Sequence, residues 1–299
     1  MNCMREYNLI NIIKNSVNNE FIGDDCAYLK DFDLVVTQDS LIENIHFKRS
    51  WYTPYQLGYK SVIVNISDIL ASGAEPKYIT VSLSVPSKID EEYIKAFYEG
   101  IKSGLSGAQI IGGDITGSKN DIMISITAIG STLIRNISSR KNAKIGYKII
   151  TKGLHGDSAA GLKELLNNGN NKKLINAHIS PKLEYKFSND ISTSVNADYA
   201  MMDTSDGIAD ALFKIAEASK VKISVDYNKI PHSLYVNKQQ VLFGGEDFKL
   251  IAAIPEKFVP LIEGAVVIGE VQKFDGIRLD ISGDKYKNYN ELNVFNHFN

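Results

Sequence analysis

One stretch near the first third of the chain restricts the fold more than any other. Residues 78–85 (YITVSLSV) place Ile79, Val81, Leu83 and Val85 against Thr80, Ser82 and Ser84 in strict alternation, the period of a half-buried strand. Just before it, Leu57, Val62, Ile63, Ile66, Ile69 and Leu70 recur at helical spacing, after a Thr53-Pro54 start and ahead of Gly73. A strand in 33–38 precedes this helix. A helical period returns in 90–106 and alternation in 121–129. The same switching continues through 145–151 (strand), 157–168 (helix), a helix from Pro181, 198–202 (strand), 206–219 (helix) and 222–227 (strand). Strands in 247–254, 265–271 and 276–281 follow, and the asparagine-rich patches 167–171 and 286–290 read as loops. Strands and helices that alternate in both halves predict an α/β chain of α+β layers. The polar, basic stretch 135–144 (RNISSRKNAK) is the candidate boundary between residues 1–138 and 139–299.

Composition excludes several classes. The 299 residues are 44% hydrophobic, which supports a sizeable core, and the net charge of −2 lacks the basic footprint of a nucleic-acid partner. No apolar run approaches the ~18 residues that span a bilayer. The two cysteines, Cys3 and Cys26, form no CxxC or Cys/His spacing, so a zinc site or disulfide framework is not expected, and a reducing, cytoplasmic setting is.

Six short segments join a small or flexible residue to a carboxylate: Gly23-Asp24-Asp25, Thr37-Gln38-Asp39-Ser40, Asn65-Ile66-Ser67-Asp68, Gly112-Gly113-Asp114, Asp203-Thr204-Ser205-Asp206-Gly207 and Gly244-Gly245-Glu246-Asp247. Glycine permits close backbone approach to a ligand, and carboxylate oxygens are hard ligands suited to Mg²⁺. Each motif taken singly is also ordinary turn or cap chemistry. Six together, most at predicted strand ends or helix starts, point to a cation-bridged phosphate site. Asn65, Asp68 and Ser72 fall on one helix face, which is either solvated or buried and functional. The run 203–207 follows an apolar strand, where α/β folds gather ligands, and Ser205 or Asp206 would also cap the next helix. No P-loop is present, since Leu162 follows Gly161 where that motif needs Lys, and GxGxxG, HExxH and GxSxG are absent. Phosphate chemistry in this chain therefore requires another architecture.

Read in order, the motifs resemble the thiamine-phosphate kinase family, within the aminoimidazole ribonucleotide synthetase-like ATP-binding superfamily. The resemblance runs through Ile22-Gly23-Asp24-Asp25-Cys26-Ala27, Asp39…His46-Phe47, Leu57-Gly58-Tyr59-Lys60, Asn65–Asp68, Ser72–Pro76, Gly112–Asp114, Gly156-Asp157-Ser158-Ala159-Ala160-Gly161-Leu162, Asp203–Gly207 and Gly244–Phe248. It implies a two-domain fold whose N-terminal sheet pairs in a homodimer, with strand 78–85 as a participant. It also implies direct in-line transfer from ATP to thiamine phosphate with several Mg²⁺ ions. Carried over by position, Asp25, Thr37, Gln38, Asp39, Asp68, Asp114, Asp203 and Asp206 correspond to the metal shell. Tyr98, Gly113, Asp114, Arg140 and Ser205 correspond to ATP contacts, and His46, Glu246 and Phe295 to thiamine-phosphate contacts. No general base is expected, because a phosphate acceptor is already an anion at neutral pH. The chain departs from the family at Gln38, Ile115, Gly117 and Lys249, and none of these changes removes a carboxylate. The same motifs leave open another ATP-dependent synthetase of the superfamily, or a nucleotide-binding homologue without catalysis.

Overall fold

The computed structural model describes residues 6–17 and 21–295. Cys3 and the first residues of the chain, like His297, lie outside the described residues. The elements, in order, are α1 (Glu6–Val17), β1 (Ala27–Leu29), β2 (Leu34–Ile42), α2 (Pro54–Ala71), β3 (Glu75–Pro86), α3 (Glu91–Gly104), β4 (Gln109–Ser118), β5 (Met123–Ser131) and β6 (Lys148–Thr151). They continue with α4 (Asp157–Leu166), α5 (Lys172–Ile179), α6 (Tyr185–Ser194), β7 (Ala200–Asp203), α7 (Ile208–Ala218), β8 (Lys222–Val225), α8 (Lys238–Phe243), β9 (Leu250–Ile254), β10 (Val266–Gln272), β11 (Leu279–Ile281) and β12 (Asp284–Tyr286). This is the mixed α/β architecture that the alternating pattern predicts.

The first sheet runs β1-β2-β5-β3-β4, antiparallel except for the β3/β4 pair, which α3 joins as a crossover. The helix α2 begins in a full capping box: Thr53 Oγ1 accepts from Gln56 N–H, and the Gln56 side chain accepts from Thr53 N–H. It covers one face of the sheet, where Ile79, Val81, Leu83, Ile124, Ile126 and Ala128 are buried. It also lies tight against α3. A Cβ at Gly58 would stand 1.9 Å from Phe97 O, and one at Gly100 would stand 1.9 Å from Tyr55 O. Interior helical glycines cost about 1 kcal/mol each, and here that cost is what allows the two backbones to touch.

The strand predicted at 78–85 lies inside the sheet, between β5 and β4, so the open edge belongs to β4. Its Gly-rich sequence (QIIGGDITGS) hides it from pattern reading, and it is exposed on both faces.

The second sheet runs β12-β11-β8-β10-β6-β9-β7, with only the β11/β8 pair parallel. Both of its faces are covered. Met201, Ile150, Leu250, Ala252 and Ile254 join the core of the first half, whereas Ala200, Met202, Ile149, Ile251 and Ala253 pack with α7. Burial on two sides explains why β7 and β9 read as unbroken apolar runs instead of alternating. The segment 135–144 separates the two sheets but is bound down. Arg135 bonds to Ser192 Oγ, Asn136 Nδ2 to the Val195 and Ala197 carbonyls, and Ser138 Oγ to Met201 O.

Three helices were not expected from the pattern: α1, α5 and α8. The loop read at 167–171 ends in Asn171, whose side chain caps α5 by accepting from Leu174 N–H. No helix among the described residues is long and apolar enough to cross a membrane.

Candidate active site

The strand β2 and the helix α2 face each other and fix the first carboxylates. Alternation along β2 turns Thr37 and Asp39 toward α2 and Gln38 to the opposite side. Thr37 Oγ1 donates to Asp68 Oδ2 at 2.7 Å, and Asp39 N–H donates to Asn65 Oδ1 at 2.9 Å. The Asn65–Asp68–Ser72 stripe of α2 thus faces inward and is not solvated: Asn65 is 1% exposed and Ser72 4%. Gln38 is occupied elsewhere. Its Nε2 donates to Ser125 Oγ and its Oε1 accepts from Thr127, across the polar face of the sheet.

The second half supplies Asp203, the last residue of β7. Ser67 Oγ on α2 donates to Asp203 Oδ2 at 2.5 Å, so α2 holds carboxylates from both halves. Asp25 completes the group. One carboxylate oxygen each from Asp25, Asp68 and Asp203 lies within 4.8 Å of the others. The neighbouring Asp24 plays a different part. It accepts from Ser139 Oγ at 2.8 Å and from Arg140 N–H at 2.7 Å, tying the 139–140 turn to the first half. Arg140 Nη2 in turn meets Asp25 Oδ1 at 2.9 Å. A residue that sequence alone leaves as readily a solvated linker charge is mostly buried beside the cluster.

Electrostatics mark this cluster as deficient in positive charge. Burial pushes Asp68 well above the ordinary carboxylate range, and the nearby Asp39, Asp203 and Asp25 push it further. Burial, then Asp25, raises Asp203 to about 7. The carboxylates of Asp25, Asp68 and Asp203 are hard oxygen donors on three separate segments, and they fit Mg²⁺ by chemistry and convergence.

Asp25, Gln38, Asp39, Asp68, Arg140, Ser205, Asp206, His46, Glu246 and Phe295 all line one cavity of about 1120 Å³. Also in its lining, His46 Nδ1 accepts from Ile42 N–H at 2.9 Å, which leaves the ring proton on Nε2. Glu246 is held by Lys60 Nζ at 3.1 Å. Tyr98, Gly113 and Asp114 do not reach this cavity within one chain. Tyr98 packs edge-on to Phe97 on α3, and the other two lie on the exposed strand β4.

Sequence reasoning passed over Lys60, His178 and Lys214 as site residues. Lys214 lines the cavity and meets Asp210 at 2.8 Å and Asp206 at 3.5 Å. In sequence Lys60 and Lys214 read as ordinary helical polar residues and His178 as one of several scattered histidines; Lys60 and His178 meet Glu246 on a distant segment, whereas Lys214 meets Asp210 on its own helix.

Residues 23–132 match the family model for the AIR synthase related protein, N-terminal domain. The first half of the chain therefore contains a domain of the AIR synthase-related class. The solved structure of AaThiL complexed with AMPPCP and TMP superposes with a TM-score of 0.88 at 32% identity, over 98% of this chain and 97% of that one. The thiamine-monophosphate kinase of Aquifex aeolicus is 33% identical over 92% of this chain and 94% of its own length. That of Bacillus subtilis is 38% identical over 78% of this chain and 77% of its own. The chain belongs to the thiamine-monophosphate kinase family.

Proposed function

We propose that the enzyme transfers the terminal phosphoryl group of ATP directly to thiamine phosphate, giving thiamine diphosphate and ADP, at the cavity lined by Asp25 and Asp68, with Asp203 buried just behind them. The convergence of these three carboxylates within 4.8 Å is the observation that carries the reading. An acceptor phosphate oxygen forms the new P–O bond as the bond to the ADP oxygen breaks. Such transfer asks the protein mainly for positioning and charge neutralisation. Asp25, Asp39, Asp68, Asp203 and Asp206, with Thr37, would hold Mg²⁺ ions, which when bound offset the repulsion between two phosphate anions. Arg140 and Ser205 serve the nucleotide. His46 offers its Nε2–H to the acceptor, Glu246 an ionised carboxylate, and Phe295 an aromatic face for a cationic ring. No side chain need take a proton.

In this reading residues 1–138 carry most of the metal shell, and residues 139–299 close the cavity and supply Asp203, Asp206 and Glu246. Tyr98, Gly113 and Asp114 enter through a second copy of the chain. β4 leaves Ile111 and Ile115 exposed at 55% and 60%, and a partner seated there would cover them and the Gly113-Asp114 pair together. Ile111→Lys with Ile115→Lys should convert a dimer to monomers in analytical ultracentrifugation. Cys26, buried and in no disulfide among the described residues, suits a cytoplasmic setting.

The direct test incubates purified protein with ATP, Mg²⁺ and thiamine phosphate and separates the products by chromatography. Thiamine diphosphate is expected, and no product after Mg²⁺ is chelated. Absence of thiamine diphosphate at ample enzyme would rule the reading out.

A further inference from the structure

Lys60 sits inside α2 with 1% of its surface exposed. A buried ammonium is tolerated only when its donors are met, and here all three are. They reach Tyr52 Oη at 2.9 Å, the His178 carbonyl at 3.1 Å and Glu246 Oε2 at 3.1 Å. Two of these partners belong to the second half of the chain. Glu246 lines the cavity and keeps 27% of its side chain accessible, so the pair has a closed end at the lysine and an open end at the carboxylate.

The loop that carries Glu246 is pinned as well. Glu246 has φ +64°, in the left-handed region that a residue with a side chain seldom adopts. Such a conformation persists only where surrounding contacts over-determine it. Glu246 N–H donates to Ser205 O at 2.7 Å, and a Cβ at the preceding Gly245 would fall 2.4 Å from that same oxygen.

Among the described residues, the hydrogen bonds and ion pairs of this carboxylate all fall on Oε2. Lys60 meets it at 3.1 Å and His178 Nδ1 at 3.3 Å. His178 brings no charge at neutral pH, because burial, and then Lys60, press its pKa down to about 3. Lys60 is therefore the cation that keeps Glu246 ionised against the cost of burial.

We propose that Lys60 is a positioning residue for the phosphoryl acceptor: from the N-terminal half it fixes Glu246 Oε2, so that the rest of the carboxylate is presented to the cationic, hydrogen-bonding ring system of thiamine phosphate. The proposal rests on the reading that Glu246 meets the acceptor. A purely structural role accounts poorly for the lysine. Replacing a buried ion pair by apolar side chains of similar volume is often neutral for stability, and a methionine would fill the same space.

The test compares Lys60→Met, Glu246→Gln and the double variant in steady-state kinetics, with the KM for thiamine phosphate and the KM for ATP measured separately. Each single variant should raise the KM for thiamine phosphate roughly 10–100-fold, the scale for losing a hydrogen bond to a charged group. The KM for ATP should stay within about twofold, as no ATP contact is altered. The double variant should be no worse than the poorer single one, because both changes break one unit. If Glu246→Gln leaves the acceptor KM unchanged, the acceptor role of Glu246 is wrong and the proposal falls with it. If Glu246→Gln acts as expected but Lys60→Met raises both KM values alike, or the two effects multiply, the positioning role alone is overturned. Should Lys60→Met not fold, Tyr52→Phe removes one of the lysine's three acceptors. It should raise the same KM by a smaller factor, and no change would overturn the proposal.

Discussion

Asp203 and Glu246 are both carboxylates of the second half, and burial penalises the charged form of each. Burial together with Asp25 raises Asp203 to about 7, whereas at Glu246 burial is outweighed by Lys60 together with His178 and His46, which hold the group below its ordinary range. Glu246 thus has its own counter-ion. The Asp25–Asp68–Asp203 cluster has one cation, Arg140, for three carboxylates: it meets Asp25, while Asp68 and Asp203 are met by hydroxyls from Thr37 and Ser67. A hydroxyl donates a hydrogen bond without neutralising the charge. In the proposed function, this arrangement would take cations from solution at the aspartate cluster and meet a cationic ring at Glu246.

Removing a carboxylate from the deficient end should have the largest effect. Asp68→Asn is expected to lower kcat by on the order of 10³-fold, comparable with losing a main electrostatic stabiliser. In the absence of Mg²⁺ it should leave the melting temperature unchanged or raised, since a source of repulsion goes with it. A parallel loss of activity and metal-free stability would break the comparison. Arg140→Met removes the cation that touches Asp25. It should weaken ATP about 10–100-fold as read by KM, in keeping with a charged hydrogen bond, and unlike Asp68→Asn it should lower metal-free stability.

Proton linkage gives a subtler check. Folding raises the pKa of Asp203 from 3.8 to about 7, so the metal-free folded protein holds more protons than the unfolded chain in that window. Stability from this group is therefore full below the window and lost as pH rises through it. Mg²⁺ should accordingly raise the melting temperature more at about pH 8 than at about pH 5.5, as cations replace the lost protons. The smallest effect belongs to Gln38. Its amide is held by Ser125 and Thr127 on the far face of the sheet, so Gln38→Ala should leave kcat within about twofold, as for a residue that contributes only its backbone. A large loss would return that side chain to the metal shell.

How far the sequence could be read follows the same division. The helix α2 was legible because its cap, its proline and its apolar spacing are all local. The Asp motifs were legible because glycine and carboxylate sit side by side in the chain. β4 was not, since a Gly-rich strand exposed on both faces has no period to detect. Lys60 was visible as part of a motif but not as a site residue, because a lysine within a helix reads as a solvated charge. Its partner Glu246 is 186 residues away, and only the packing of α2 against the second half joins them. The departure at Gln38 was visible in sequence, and its consequence depended on which face of β2 the side chain takes.

Calorimetric titration of the metal-free protein with Mg²⁺ at pH 7, repeated in two buffers of different ionisation enthalpy, tests the central claim most directly. Binding should release protons at pH 7, because Asp203, raised to about 7, is partly protonated there, and the release should fade by about pH 9. Binding with no proton release at pH 7, or no binding at all, would contradict a carboxylate cluster that waits for external cations.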